Sequence, residues 1–285
     1  MYTPHLEDKS PSAHDERPDT EEQVPSVPIG QGRPCREQFK LVCKPDPRWK
    51  SFVLRDVLLP FRIFVYPIIF WAGLCVAGPA NLLLLWNLTE SSVLSAPPYN
   101  FSVSAVGFAN FAFVAGGLFG LLTAGRLSDW LAHRSTIRND GVRETEMRLP
   151  TMLPYSILSV IGMVVGGCAE KYSWPWPVLL VVGYGLTGVC VTSVPTIAIA
   201  YAVDSYKPIA GEIMVVATVL KNTCGFAMSY WVTSLGDSQG ILTPVMVQLA
   251  LTAGPVVFAL PIWLWGKTLR RWTQNARVHQ FEAEI

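Results

Sequence analysis

Six stretches of about twenty mostly apolar residues dominate this 285-residue chain, at about 63–86, 103–124, 151–170, 178–201, 212–234 and 242–265. Rising about 1.5 Å per residue, a helix of that length crosses about 30 Å, the hydrocarbon thickness of a bilayer. Lipid offers the backbone no hydrogen bonds, so a spanning segment must be a helix or a strand of a closed barrel. These stretches are continuously apolar and lack the period-two alternation of a barrel strand, which makes helices the expectation. Composition agrees: 51% of residues are hydrophobic and 15% charged, against about 25% charged in soluble domains. The expected fold class is an all-α membrane protein, a bundle of six transmembrane helices.

Three regions follow. Residues 1–56 hold an acid-rich start (Glu7, Asp8, Asp15, Glu16, Asp19, Glu21, Glu22) and many prolines. They have too few large apolar side chains to offset the entropy of ordering, so a disordered cytoplasmic tail is expected. Residues 57–270 form the membrane domain, and 271–285 a second cytoplasmic tail. The first ten residues lack the basic-then-apolar order of a cleaved signal, so the first apolar helix is expected to target the chain.

Lysine and arginine near the spans give the sidedness, because positive residues stay in the cytoplasm. One set of flanks carries Lys40, Lys44, Arg48, Lys50, Arg55, Arg126, Arg134, Arg138, Arg143, Arg148, Lys207, Lys267, Arg270, Arg271 and Arg277, and the other set carries Lys171 alone. Both termini and the 125–150 connector are therefore expected inside. The loop 87–102 falls outside and holds two acceptor triplets for N-glycosylation, at Asn87 and Asn100. Trp86, Trp174 and Trp176 on the outer side, and Trp130, Trp263, Trp265 and Trp272 on the inner side, read as interfacial belts.

Within lipid, helices associate through close approach at small residues. Ala112, Gly116, Gly120 and Ala124 recur every fourth residue in the second stretch, and Gly162 and Gly166 repeat the spacing in the third. Both are read as packing seams. Pro67, Gly78-Pro79, Pro195, Gly254-Pro255 and Pro261 interrupt the stretches, as in the bent helices of transporters.

Several chemistries are disfavoured. Gly183-Tyr184-Gly185-Leu186-Thr187-Gly188 spells a dinucleotide fingerprint but lies inside an apolar stretch, with no strand before it. Val182-Gly183-Tyr184-Gly185 resembles a potassium-channel filter, yet it lacks the preceding threonine and pore helix, and no stretch carries voltage-sensing arginines. The four histidines lie in tails or a connector, no cysteine pair has metal-site spacing, and no catalytic set shares a cavity. No enzyme activity, metal, cofactor or nucleic-acid partner is expected, and the cysteines are read as plain buried thiols.

The most informative segment is Gly125-Arg126-Leu127-Ser128-Asp129-Trp130-Leu131-Ala132-His133-Arg134. It resembles the cytoplasmic loop signature of the major facilitator superfamily: Gly125, Leu127, Asp129 and Arg134 fit, while Trp130 and His133 depart. The stretch 139–150, the run Tyr201–Tyr206, and Lys221-Asn222 followed by Gly225-Phe226 are similar to fungal general-substrate and drug:proton-antiporter-like members. The resemblance spans about 50–270 and implies the carboxy-terminal six helices of a twelve-helix transporter, with residues 1–56 matching the linker between halves. It further implies secondary transport of a small organic solute or drug by alternating access, with a second six-helix half or a homodimer partner. Because Met1 falls inside that linker, the chain is expected to be truncated or to need another half. A pore-forming channel subunit and a non-transporting membrane interaction protein are the alternatives.

The resemblance makes Gly125, Arg126, Leu127, Asp129 and Arg134 a clasp between halves; by its own chemistry Asp129 is expected either to pair locally with Arg126 or Arg134 or to sit at the positive amino-terminal end of a neighbouring helix. Lys221 is the one ionisable residue expected near the middle of a stretch, where a lysine costs roughly 2.5–3.5 kcal/mol unless it faces a polar cavity. Lys221 and Asn222 are thus the substrate-pathway candidates. No Asp or Glu is expected inside the membrane, so proton coupling is assigned to no residue.

Overall fold

The computed structural model describes residues 60–142, 144–206 and 209–274, with the side chains of 267 and 270–274 excepted. Both expected tails therefore lie outside the described residues, apart from a helical backbone that continues to Gln274 instead of ending at 270. Among the described residues the chain is helical, with no strand, and six segments are long and apolar enough to cross a membrane.

The first span is α1 (Pro67–Ser95). The second joins α2 (Val103–Ala109) to α3 (Phe111–Arg138). A 3-10 segment, Thr145–Thr151, leads into α4 (Met152–Lys171), the third. A π-helical segment, Val178–Tyr184, leads into α5 (Gly185–Ser205), the fourth. The fifth is α6 (Ala210–Gln239), and the sixth is α7 (Leu242–Val257) with α8 (Ala259–Gln274). Short connectors make successive spans antiparallel and give the bundle two ends. At one end Tyr66 stacks on Tyr206, rings 6.0 Å apart; at the other the Tyr99 hydroxyl donates to the Trp174 carbonyl at 2.5 Å. Each end has its own buried cluster, one around Tyr201 and Met152, the other around Trp86 and Tyr184.

The small-residue seams are where helices touch. A Cβ on Gly116 would fall on the Gly185 carbonyl, and one on Gly188 would fall on the Phe113 carbonyl, so α3 and α5 meet backbone to backbone. Thr192 then donates across the seam to the Gly117 carbonyl at 3.1 Å. Gly162 faces Leu186, and Gly166 faces Trp86 and Gly183. Close approach of this kind supplies the dispersion and hydrogen bonding that lipid-solvated helices otherwise lack. The filter-like Val182–Gly185 run is helical and packed into the second of these seams.

Kinked carbonyls find donors from neighbouring helices, as lipid requires. Trp71 Nε1 donates to the Pro255 carbonyl at 2.7 Å, and Gln248 Nε2 to the Gly78 carbonyl at 2.9 Å.

Three expectations are corrected. The first span runs to Ser95 instead of ending near 86, because small polar side chains fold back on the preceding turn: Asn87 Nδ2 donates to Leu83 at 2.9 Å, Thr89 to Leu85 at 3.2 Å and Ser92 to Thr89 at 2.8 Å. Asn87 is therefore helical and not in an outer loop, whereas Asn100 is in the connector, exposed, at φ 50°. Trp86 is fully buried and donates to Thr187 Oγ1 at 3.2 Å, so it is a core residue and not part of a belt. Trp174, Trp176, Trp130, Trp263 and Trp265 are exposed. The second stretch does not stop at 124: after a one-residue interruption at Asn110, α3 runs on to Arg138.

Candidate functional site

Gly125, Arg126, Leu127, Asp129 and Arg134 all lie on α3, not in a loop. The helix persists because its small-residue stripe persists: Ser128 and Ala132 continue the four-residue spacing of Gly120 and Ala124, and all four are buried. The polar face of this extension then meets the 3-10 segment that enters α4. Arg148 in that segment donates from Nη2 to Asp129 Oδ1 at 3.0 Å and places Nε 3.5 Å from Asp204 Oδ2 on α5. Its side chain is 17% exposed, against 68% for Asp129 and 35% for Asp204.

The expected local pairing of Asp129 with Arg126 or Arg134 is not formed. Arg134 lies over the Trp130 ring, 5.4 Å from its centroid, a cation–π contact. Arg148 takes Asp129 because the planar guanidinium presents donors on two edges and can hold acids on two elements at once. One residue thus ties α3, the 3-10 segment and α5 together at this end. Asp204 was not singled out in the sequence, although it closes the Tyr201–Tyr206 run.

Midway along the bundle, Lys221 is half-buried on α6, and its carbonyl accepts from Asn81 Nδ2 at 3.5 Å. Among the described residues no carboxylate pairs with it. Asn222 is exposed on the outside of the bundle. Neither lines the nearby cleft of about 180 Å³ between α1, α6 and α7, whose walls include Asn81, Cys224, Trp231 and Gln248. Gly225 admits Asn81, whose Oδ1 would lie 2.9 Å from a Cβ there. Gln248 is buried and bridges Gly78 and Thr252. Asn81 and Gln248 were missed; the available signal was an amide inside an apolar stretch, which must find partners there.

Two acids are nevertheless packed inside the protein near one end of the bundle. Glu90 on α1 and Glu170 on α4 are 8% and 9% exposed, at the end opposite Arg148. Among the described residues no cluster of three or more His, Cys, Asp or Glu could hold a metal. Cys75 and Cys190 are buried free thiols, and Cys168 and Cys224 are half-buried.

A bundle of six membrane-length helices, sealed by small-residue seams and carrying its paired charges at one end, defines a multi-pass integral membrane protein. The chain is a relative of fungal MFS-type transporters and efflux pumps. It is 28% identical over 218 residues to Protein HOL1 of Saccharomyces cerevisiae, covering 75% of this chain and 36% of that protein. It is 28% identical over 229 residues to an uncharacterized MFS-type transporter of Schizosaccharomyces pombe, covering 79% and 38%. With the probable efflux pump mfs2 of Aspergillus flavus it shares 27% over 228 residues, covering 78% and 52%. The chain thus spans between about a third and a half of these relatives. No family model and no solved structure matches it.

Proposed function

We propose that this chain is the carboxy-terminal six-helix half of a major facilitator transporter and moves a small organic solute or drug by alternating access together with a second six-helix half. The observation that carries this reading is the coincidence of two lengths: six membrane-length helices here, and 36–52% coverage of relatives that include MFS-type transporters and efflux pumps. A half of this kind supplies one wall of a central cavity. Lys221 and Asn222 border that pathway: an unpaired lysine in mid-span needs a polar surrounding, and the α6 face carrying Asn222 and Phe226 is left uncovered by the other five spans. The Asp129–Arg148–Asp204 group acts at the cytoplasmic end, where its exposed acid is available to clasp the other half. Both termini are cytoplasmic, a reading that the arginine-rich connectors support, and the resemblance to the family favours the plasma membrane as the destination. Asn100 is the better placed of the two glycosylation acceptors.

Reconstitution with and without a co-expressed amino-terminal half tests the reading. Saturable solute flux should appear only when both are present. Ohmic current from the chain alone would make it a pore-forming subunit, and no flux in either preparation would leave a non-transporting interaction protein. With both halves present, Asp129→Asn should lower flux without lowering the amount inserted, and Lys221→Met should alter uptake kinetics.

A further inference from the structure

The cleft between α1, α6 and α7, about 180 Å³ in volume, has polar groups in its wall that the chain leaves unsatisfied. Its position separates it from the face proposed to border the transport pathway. Asn222 and Phe226 are exposed on one side of α6, whereas Cys224, Met228 and Trp231 line the cleft. At 3.6 residues per turn these two groups fall on opposed faces of the helix. Ala227 on α6 and Leu251 on α7 also line the cleft and are exposed, so its mouth lies between those two helices on the outer surface of the bundle. Asn81, in the same wall, is the middle residue of α1, which puts the mouth at the depth of the hydrocarbon.

The wall is mostly apolar, and among the described residues none that lines it is charged. Two amides interrupt it. Gln248 is 1% exposed and spends its Nε2 donors inside the protein, on the Gly78 carbonyl at 2.9 Å and on Thr252 Oγ1 at 3.4 Å, which leaves Oε1 without a partner. Asn81 donates from Nδ2 to the Lys221 carbonyl at 3.5 Å, and no donor among the described residues reaches its Oδ1. The Trp231 indole N–H, half-buried in the same wall, likewise meets no acceptor among them. A buried acceptor left unsatisfied costs about 1–3 kcal/mol, which a donor brought in by a ligand recovers.

These features define the ligand by its chemistry. It is neutral, because the wall offers a charge no partner, and it dissolves in hydrocarbon, because that is where the mouth opens. A hydroxyl meets both needs of the wall, since it can donate to an amide oxygen and accept from an indole N–H. An apolar cavity of about 150 Å³ takes up one benzene ring, so the volume here fits a single ring with a small substituent. We propose that the cleft is a lipid-accessible binding site for a small neutral hydroxylated molecule of the one-ring phenol class, its hydroxyl held by the amides of Gln248 and Asn81 and its ring against the apolar wall. The site is complete within this chain and does not depend on the transport reading.

Fluorine NMR of para-fluorophenol added to the full chain in lipid nanodiscs tests it, with protein-free nanodiscs as the reference for plain partitioning. The chain should add a saturable bound fraction. The para-fluorotoluene probe, with a methyl group in place of the hydroxyl, should bind about tenfold more weakly at equal bilayer concentration, the worth of one hydrogen bond to an unsatisfied acceptor. Gln248→Leu should erase most of that preference while leaving fluorotoluene binding in place. Ala227→Phe, a change at an exposed position, should obstruct the mouth and lower binding of both probes, so the site is testable even if Gln248→Leu fails to fold. Fluorophenol uptake no greater than in protein-free nanodiscs overturns the proposal. So does equal affinity for the two probes, or binding that survives Ala227→Phe unchanged, which would place the phenol elsewhere on the chain.

Discussion

The two ends of the bundle handle charge in opposite ways. At the Arg148 end, acids and a base meet on three elements, and the acids stay open to water. At the Tyr184 end, two carboxyls are enclosed and no base approaches them among the described residues. The difference follows from where the chain keeps its positive residues. The connectors at the Tyr184 end, 96–102, 172–177 and 240–241, contain no lysine or arginine, and the flanking Lys171 is exposed over the Tyr172 ring, so an acid drawn into the packing there finds no paired base. An exposed ion pair contributes little to stability and is screened by salt. An enclosed carboxyl acts through its protonation state. One end thus keeps its charges paired and open to water, the other packs its acids out of reach of both water and bases.

The largest effect should come from removing an aromatic side chain at each end. Tyr184→Ala takes away a fully buried ring between Phe113 and Trp86 and should cost about 3–5 kcal/mol. Trp130→Ala removes an exposed ring with a single cation–π contact to Arg134 and should cost at most about 1 kcal/mol. Thermal unfolding in one detergent would compare the two, and equal losses would remove the distinction between a sealed and an open end. Gly116→Val comes next. It forces α3 off the Gly185 carbonyl, an overpacking worth roughly 1–3 kcal/mol, and because the seam joins both halves of the packing it should loosen both ends together. Proteolysis at the 96–102 and 139–144 connectors should therefore rise in parallel.

A smaller effect separates the ends by salt. Arg148→Ala strands Asp129 and Asp204 and should destabilise by about 1 kcal/mol at low ionic strength, with the loss shrinking as salt is added. Glu90→Gln, by contrast, should show little salt dependence, since Glu90 is buried, bonded to Asn110 and in no ion pair among the described residues. Melting the two variants at low and high sodium chloride checks this. Matching salt responses would put the carboxyl end in contact with solvent.

Much of this was legible in the chain before folding. The six spans follow from length alone, and the seams from the four-residue recurrence of Gly and Ala. The rest was obscured by a single habit, that of ending a span at its first polar residue. Asn87 appears to close α1, yet it bonds Leu83 one turn back and the helix continues through Glu90. The motif looks like a loop because Arg126 and Asp129 are polar, although Ser128 and Ala132 continue the stripe that buries α3. Length in lipid reports only the part of a helix that crosses hydrocarbon, whereas the small-residue period reports the part that packs. The partnership of Arg148 with Asp204 was not readable by either measure, since it joins positions 56 residues apart through tertiary placement.

Gly125→Ala is the smallest perturbation and sharpens the comparison most. In the family signature this glycine is a fixed position, as if a side chain were forbidden. Within this bundle a Cβ on Gly125 meets nothing within 4 Å, in contrast to Gly116 and Gly120 on the neighbouring buried stripe, where backbone or side chains stand in the way. Gly125 lies inside α3 with nothing to lose from a methyl group, and alanine is the better helix former by about 1 kcal/mol. The substitution should raise the melting temperature of this chain slightly, or leave it unchanged, and should not affect its insertion. Flux measured with a co-expressed amino-terminal half then carries the meaning. A loss of flux by a variant as stable as the wild type would trace the constraint on Gly125 to contact with the proposed second half. Undiminished flux would remove Gly125 from the proposed clasp.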